Sequence, residues 1–163
     1  MIGNDIVDLK TAQQESNWKR EGFLNKIFTD EEQLLIHNSN TPEIMVWNLW
    51  SRKEAAYKIY NRDTKINGYF PTKLICIYEC ARFGTVSINN NLYHTQTTIT
   101  KDYIHTVAVS KRENLNRIIS LNSNCKILKD QGIPYLIDAI TKAVIPISIS
   151  HHGRFIESIR VKE

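Results

Sequence analysis

From Pro42 to about Tyr60 nothing breaks a helical pattern. Trp47, Trp50, Ala55 and Tyr57 supply packing residues, and neither glycine nor a further proline falls inside. Thr41 and Pro42 start this helix, with proline at its first position. After the turn-rich link NRDTKINGYFP the period changes from helical to two. KLICIYEC, GTVSI, LYHTQTTI and YIHTVAVS read as strands, separated by Gly84 and by the run Asn89, Asn90 and Asn91. A long helix followed by several short strands constrains the chain to the α+β class, an antiparallel sheet packed against one long helix. With 163 residues there is room for a single domain, 1–163, and too little for two ordinary ones.

Smaller signals fill in the rest. FTDEEQLLI opens with Thr29 as a helix N-cap, Glu32 three residues on, and Phe28 in front of the cap. IPYLID, VIPISIS and RFIESIRV read as strands, while 111–131 is polar and RENLNRIISL is compatible with a short helix. Apolar residues make up 42% and charged residues 23%, a balance that excludes a disordered chain. No apolar run nears the roughly 18–20 residues a membrane span needs, and the N-terminus lacks a signal peptide, so a cytoplasmic protein is expected. Cys76, Cys80 and Cys125 are odd in number and lack C-x-x-C spacing, which points to packed thiols rather than disulfides or zinc. The net charge of +4 is spread along the chain. It suits a polyanionic small molecule or an acidic protein partner. With no helix-turn-helix, zinc-finger or RNP signature, no nucleic-acid partner is expected.

IGNDIVDL, at residues 2–9, reads as a buried strand with Asp5 in its middle. A carboxylate in an apolar run needs a cation, a set of donors or an exit to solvent. In WSRKEAAYK, Glu54 and Lys58 are four apart and share a helix face. Alone they read as a surface ion pair worth about 0.3–0.5 kcal/mol, with Arg52 and Lys53 as solvated charges.

Taken together, GNDIV at 3–7, FTDEE at 28–32, WSRKEAAYK at 50–58 and SISHHG at 148–153 resemble the 4′-phosphopantetheinyl transferase superfamily. Its pattern is G-x-D, then F-[ST]-x-x-E, then W-x-x-K-E-A-x-x-K, with an S-x-S-H strand. The resemblance is good over about 1–60, looser over 130–160 and poor between. It implies that family's fold and an enzyme moving the 4′-phosphopantetheine arm of coenzyme A onto a serine of an apo acyl carrier protein or carrier domain. The other product would be adenosine 3′,5′-bisphosphate. By the same resemblance Mg2+, with Mn2+ as an alternative, would be held by Asp5 and Glu54. A hard cation takes few protein carboxylates, keeps waters and uses substrate phosphate oxygens. Glu54 and Lys58 would be catalytic, and Lys53, Lys58, Ser150 and His151 would contact coenzyme A. Glu32 and Arg154 are further candidates.

Each assignment has a structural alternative. Glu32 fits a capping box with Thr29, Asp5 a strand end, Ser150 and His151 a strand end with a solvent-facing ring, and Arg154 an ordinary solvated arginine. Asp8 is expected to be salt-bridged and structural. His152 stands where the family often has a small residue, and His37, His94 and His105 show no functional spacing. The whole-protein alternative is a non-catalytic coenzyme A or carrier-protein binder that retains the fold. Two departures stand out. Val7 occupies the place of the third acid found in surfactin-type members, as in the holo-acyl-carrier-protein synthases. Those synthases imply a homotrimer with sites between subunits. The length of 163 residues and the strand-rich segment from about 70 to 110 also allow a full half followed by a shortened one from about 111, so both arrangements stay open here.

Overall fold

The computed structural model describes residues 1–66, 68–122 and 125–162. Asn67 of the turn-rich link, Ser123 and Asn124 of the polar stretch, and Glu163 lie outside them. Strand β1 (Ile2–Asp8) leads into three short helices, α1 (Leu9–Glu15), α2 (Phe23–Ile27) and α3 (Asp30–His37). The long helix α4 (Pro42–Thr64) follows, four residues longer than its pattern indicates and closed by Lys65 at φ 57°. Then come β2 (Ile75–Tyr78), β3 (Phe83–Ile88), β4 (Asn91–Ile99) and β5 (Tyr103–Val109), in the expected order. RENLNRIISL is not an α-helix. It forms a 3-10 turn, Arg112–Arg117, and a strand β6 (Ile118–Ser120). The chain ends with β7 (Leu128–Asp130), β8 (Ile133–Ile137), β9 (Val144–His152) and β10 (Phe155–Val161).

The described residues form two antiparallel sheets rather than one, ordered β1-β5-β4-β3-β2 and β6-β10-β9-β8-β7. β1 pairs with β5 from Ile2↔Val109 to Asp8↔Tyr103. Helix α4 covers one face of the first sheet, burying Val46, Leu49, Ala55, Ala56 and Ile59 against Val7, Leu74, Val86, Ile104 and Ala108. On the other face Ile2, Val107 and Val109 meet Leu115 and Ile159 in a second cluster. β1 is therefore buried on both faces, and its sequence reads as a nearly continuous apolar run rather than an alternation.

The sheets meet along β1 and β9, which run in the same direction. A strand edge presents unpaired N–H and C=O groups that need partners, and side chains provide them. Ser148 Oγ accepts from Asn4 N at 2.9 Å and His152 Nδ1 from Asp8 N at 2.9 Å. From α4, Lys58 Nζ donates to Asn4 O at 2.6 Å and Ile149 O at 3.2 Å. One turn later Arg62 Nη1 donates to Ile2 O at 3.0 Å and Ile147 O at 2.8 Å. Two cations thus tie the strands together like rungs.

Candidate active site

Gly3 sets how close α4 lies to β1. A Cβ there would collide with the carbonyl oxygen of Ala55 and press on Ile59. Without one, the helix backbone rests on the strand, and the alternation that puts Gly3 and Val7 under α4 turns Asp5 towards it as well. Glu54, beside Ala55, meets Asp5 in a cavity of about 260 Å3 walled by Trp47, Trp50, His151 and His152.

The electrostatics of this cavity are unusual. Asp5 Oδ2 is buried and has no hydrogen-bond partner. Burial pushes the Asp5 carboxyl up to about 7; Glu54 adds to the shift and Lys58 opposes it. Burial raises Glu54 and lowers Lys58 in turn. Two carboxylates sharing a poorly hydrated site lack positive charge, and Lys58 compensates only in part, since two of its three donors serve backbone carbonyls. Among the described residues, no cluster of three or more His, Cys, Asp or Glu side chains is placed to cage a metal. A pair of carboxylates fits a hard cation that keeps water and takes its remaining ligands from a substrate.

A second cleft, of about 380 Å3, opens beside Lys58 and is lined by Arg62, Lys129, His151, Tyr57 and Pro134. His151 borders both spaces. A larger cavity of about 550 Å3 lies near Met1, Lys65, Tyr135 and Val144, away from the acidic pair.

Of the residues singled out by sequence, the fold gathers Asp5, Glu54, Lys58 and His151. The others sit elsewhere. Lys53 is 0% exposed and its ammonium is fully spent, on Glu32 Oε2 at 2.6 Å, Ile27 O at 2.8 Å and Pro71 O at 2.8 Å. Lys53 lines neither of the two spaces beside the acidic pair. Glu32 is buried too: besides Lys53 it closes the expected capping box with Thr29 and accepts from Cys76 N at 2.7 Å. Arg52 is no solvated charge either. It is 0% exposed and holds the Cys80 and Ala81 carbonyls at 2.9 and 3.0 Å. Ser150 is buried against β1 and lines neither space, so of the Ser150–His151 pair only His151 stands where a phosphate could reach it. Arg154 forks onto Asp8, with Nε and Nη2 each 2.8 Å from a carboxylate oxygen, and lines neither space. Asp8 also caps α1 through Lys10 N and Thr11 N, and Arg154 above all holds its carboxyl well below the usual range.

Sequence reasoning missed Arg62, Lys129 and Tyr69. Arg62 follows Lys58 by one turn, a spacing that could have flagged it. Lys129 sits in a polar stretch without a pattern, and Tyr69 in a link that reads as a turn.

A family model described as the 4′-phosphopantetheinyl transferase superfamily matches residues 1–108. The holo-acyl-carrier-protein synthase of Protochlamydia amoebophila is 37% identical over 59 residues, covering 35% of this chain and 47% of that protein, so the match spans about half of the curated relative. Among solved structures, the synthase of Neisseria meningitidis superimposes with a TM-score of 0.56 at 19% identity, over 68% of this chain and 97% of its own. That of Helicobacter pylori, in complex with coenzyme A, gives 0.54 at 14% identity, over 68% and 100%. That of Thermotoga maritima gives 0.52 at 13% identity, over 99% and 83%. At these identities the structures establish the fold, an α+β fold shared with the synthases. With two thirds of its length matched by the family model, the chain belongs to the 4′-phosphopantetheinyl transferase superfamily.

Proposed function

We propose that this protein transfers the 4′-phosphopantetheine arm of coenzyme A to a serine of an acyl carrier protein, releasing adenosine 3′,5′-bisphosphate. The observation that carries the reading is the meeting of Asp5 and Glu54 in one cavity, with Asp5 Oδ2 buried and unpartnered. Family membership and the coenzyme A complex of the Helicobacter pylori synthase support it.

Asp5 and Glu54 would hold Mg2+, or Mn2+ in its place. When bound, such an ion neutralises charge developing on the phosphoryl oxygens. The remaining steps belong to the chain's own residues. Lys58 has one N–H left after its two carbonyl bonds, and with His151, Arg62 and Lys129 it gives the neighbouring cleft the positive character a diphosphate needs. The carrier serine oxygen attacks the phosphorus that bears the pantetheine arm, and the bond from that phosphorus to the leaving bisphosphate oxygen breaks. Lys58 would offset charge on the leaving group. Glu54 would also be the residue nearest to hand to accept the serine proton. Trp47 and Trp50 wall the cavity against bulk water. The net charge of +4 suits an acidic carrier surface.

The test is the intact mass of an apo acyl carrier protein after incubation with the protein, coenzyme A and Mg2+, with and without EDTA. A gain of one phosphopantetheine arm that EDTA abolishes, and that a folded Glu54→Gln variant fails to produce, is expected. No gain on several carriers, with coenzyme A still bound, would replace the transferase by the non-catalytic binder.

A further inference from the structure

Trp50, Glu54 and Tyr57 are spaced four and three residues apart on α4 and so share one face. Tyr69, from the segment after the helix, lies across that face. Its ring is 5.9 Å from Trp50 at 72° and 4.9 Å from Tyr57 at 70°, edge-on to both. These two aromatics bracket Glu54 along the helix, so the ring that rests on them covers the turn carrying the carboxylate. Tyr69 Oη is buried and has no hydrogen-bond partner, a condition it shares with Asp5 Oδ2. The phenol and the Glu54 carboxylate are close enough to shift each other's ionisation, though without a hydrogen bond of good geometry. A phenol is protonated at neutral pH, so towards a carboxylate it can only donate.

We propose that Tyr69 is a positioning residue for the metal pair: its hydroxyl donates to Glu54 when that carboxylate holds a divalent cation, fixing which carboxylate oxygen faces the ion. The proposal rests on the transferase reading, since it needs Asp5 and Glu54 to bind the cation. It explains why a hydroxyl is kept at a buried place where phenylalanine would pack as well and leave no orphaned donor. Carboxylates that ligate metals are themselves held by outer partners, and losing such a partner typically weakens metal affinity by about 10–100-fold.

The measurement is Mn2+ binding to the full chain, without coenzyme A, followed by loss of the free-ion EPR signal in wild type, Tyr69→Phe and Asp5→Asn. Tyr69→Phe should bind Mn2+ about tenfold more weakly or worse, while melting at or above the wild-type temperature because only the unsatisfied hydroxyl is gone. Its turnover should recover as Mg2+ is raised, which a purely structural defect would not do. Wild-type Mn2+ affinity in Tyr69→Phe, with affinity lost in Asp5→Asn, would overturn the role of Tyr69 and leave the metal pair standing. Unchanged affinity in both variants would overturn both.

Discussion

Gly3 acts through the side chain it lacks. Because a Cβ there would strike the Ala55 carbonyl, Gly3→Ala must lift α4 from β1 and draw Glu54 away from Asp5. Forcing one carbon into such a contact costs about 1–3 kcal/mol, and a misplacement near 1 Å can cost about a hundredfold in rate. We expect Gly3→Ala to fold with reduced stability in urea and to lose at least tenfold in kcat. Wild-type kcat would show that the spacing of helix and strand does not set the site. The glycine of G-x-D was thus visible in the sequence, but its reason was not, because the clash is with a residue 52 positions away. Glu54 and Lys58 stood out through the family resemblance, since their spacing alone reads as a surface pair. The burial of Lys53 did not, since a lone charge on a helix reads as solvated until the Ile27 and Pro71 carbonyls and Glu32 are seen around it.

At the scale of elements, the junction of β1 with β9 joins fold to site. Ser148 and His152, the first and last residues of the S-x-S-H-H stretch, bond to β1, while His151 borders both the acidic cavity and the neighbouring cleft. The sequence showed the motif and the strand; which residues point which way depended on a register set by β1. His105, on β5, also belongs to this junction, with Nε2 3.2 Å from Asn4 Nδ2. Burial, with a smaller push from Lys58, moves its pKa down to about 4. An imidazole with an unfolded pKa near 6.5 then takes a proton in the unfolded chain before the folded one does. Its contribution to stability is complete above about 6.5 and declines as pH falls towards 4. Wild type should therefore lose stability relative to His105→Gln between those pH values, read as denaturant midpoints at pH 7 and pH 4.5. Parallel changes in the two proteins would contradict the burial of a neutral ring.

For the whole molecule, the telling fact is where the family match stops. It ends at residue 108, yet His151 and His152, which wall the acidic cavity, lie in the second sheet. Residues of both sheets of the one chain therefore line this cavity. We expect light scattering to give the mass of one chain at assay concentration and turnover to scale linearly on dilution. A trimer whose specific activity falls on dilution would restore the inter-subunit site implied by the synthases. The class and the first sheet were legible from the change of period at the end of α4. The split into two sheets was not, because strands of either sheet show the same alternation and only long-range pairing separates them.

The central claim is that Asp5 and Glu54 hold a divalent cation between β1 and α4. Anomalous diffraction from crystals soaked in Mn2+ tests it most directly. The account predicts one strong peak within coordination distance, roughly 2.0–2.6 Å, of both carboxylates. A peak bound by other residues, or none in crystals of protein that still modifies a carrier, would contradict it.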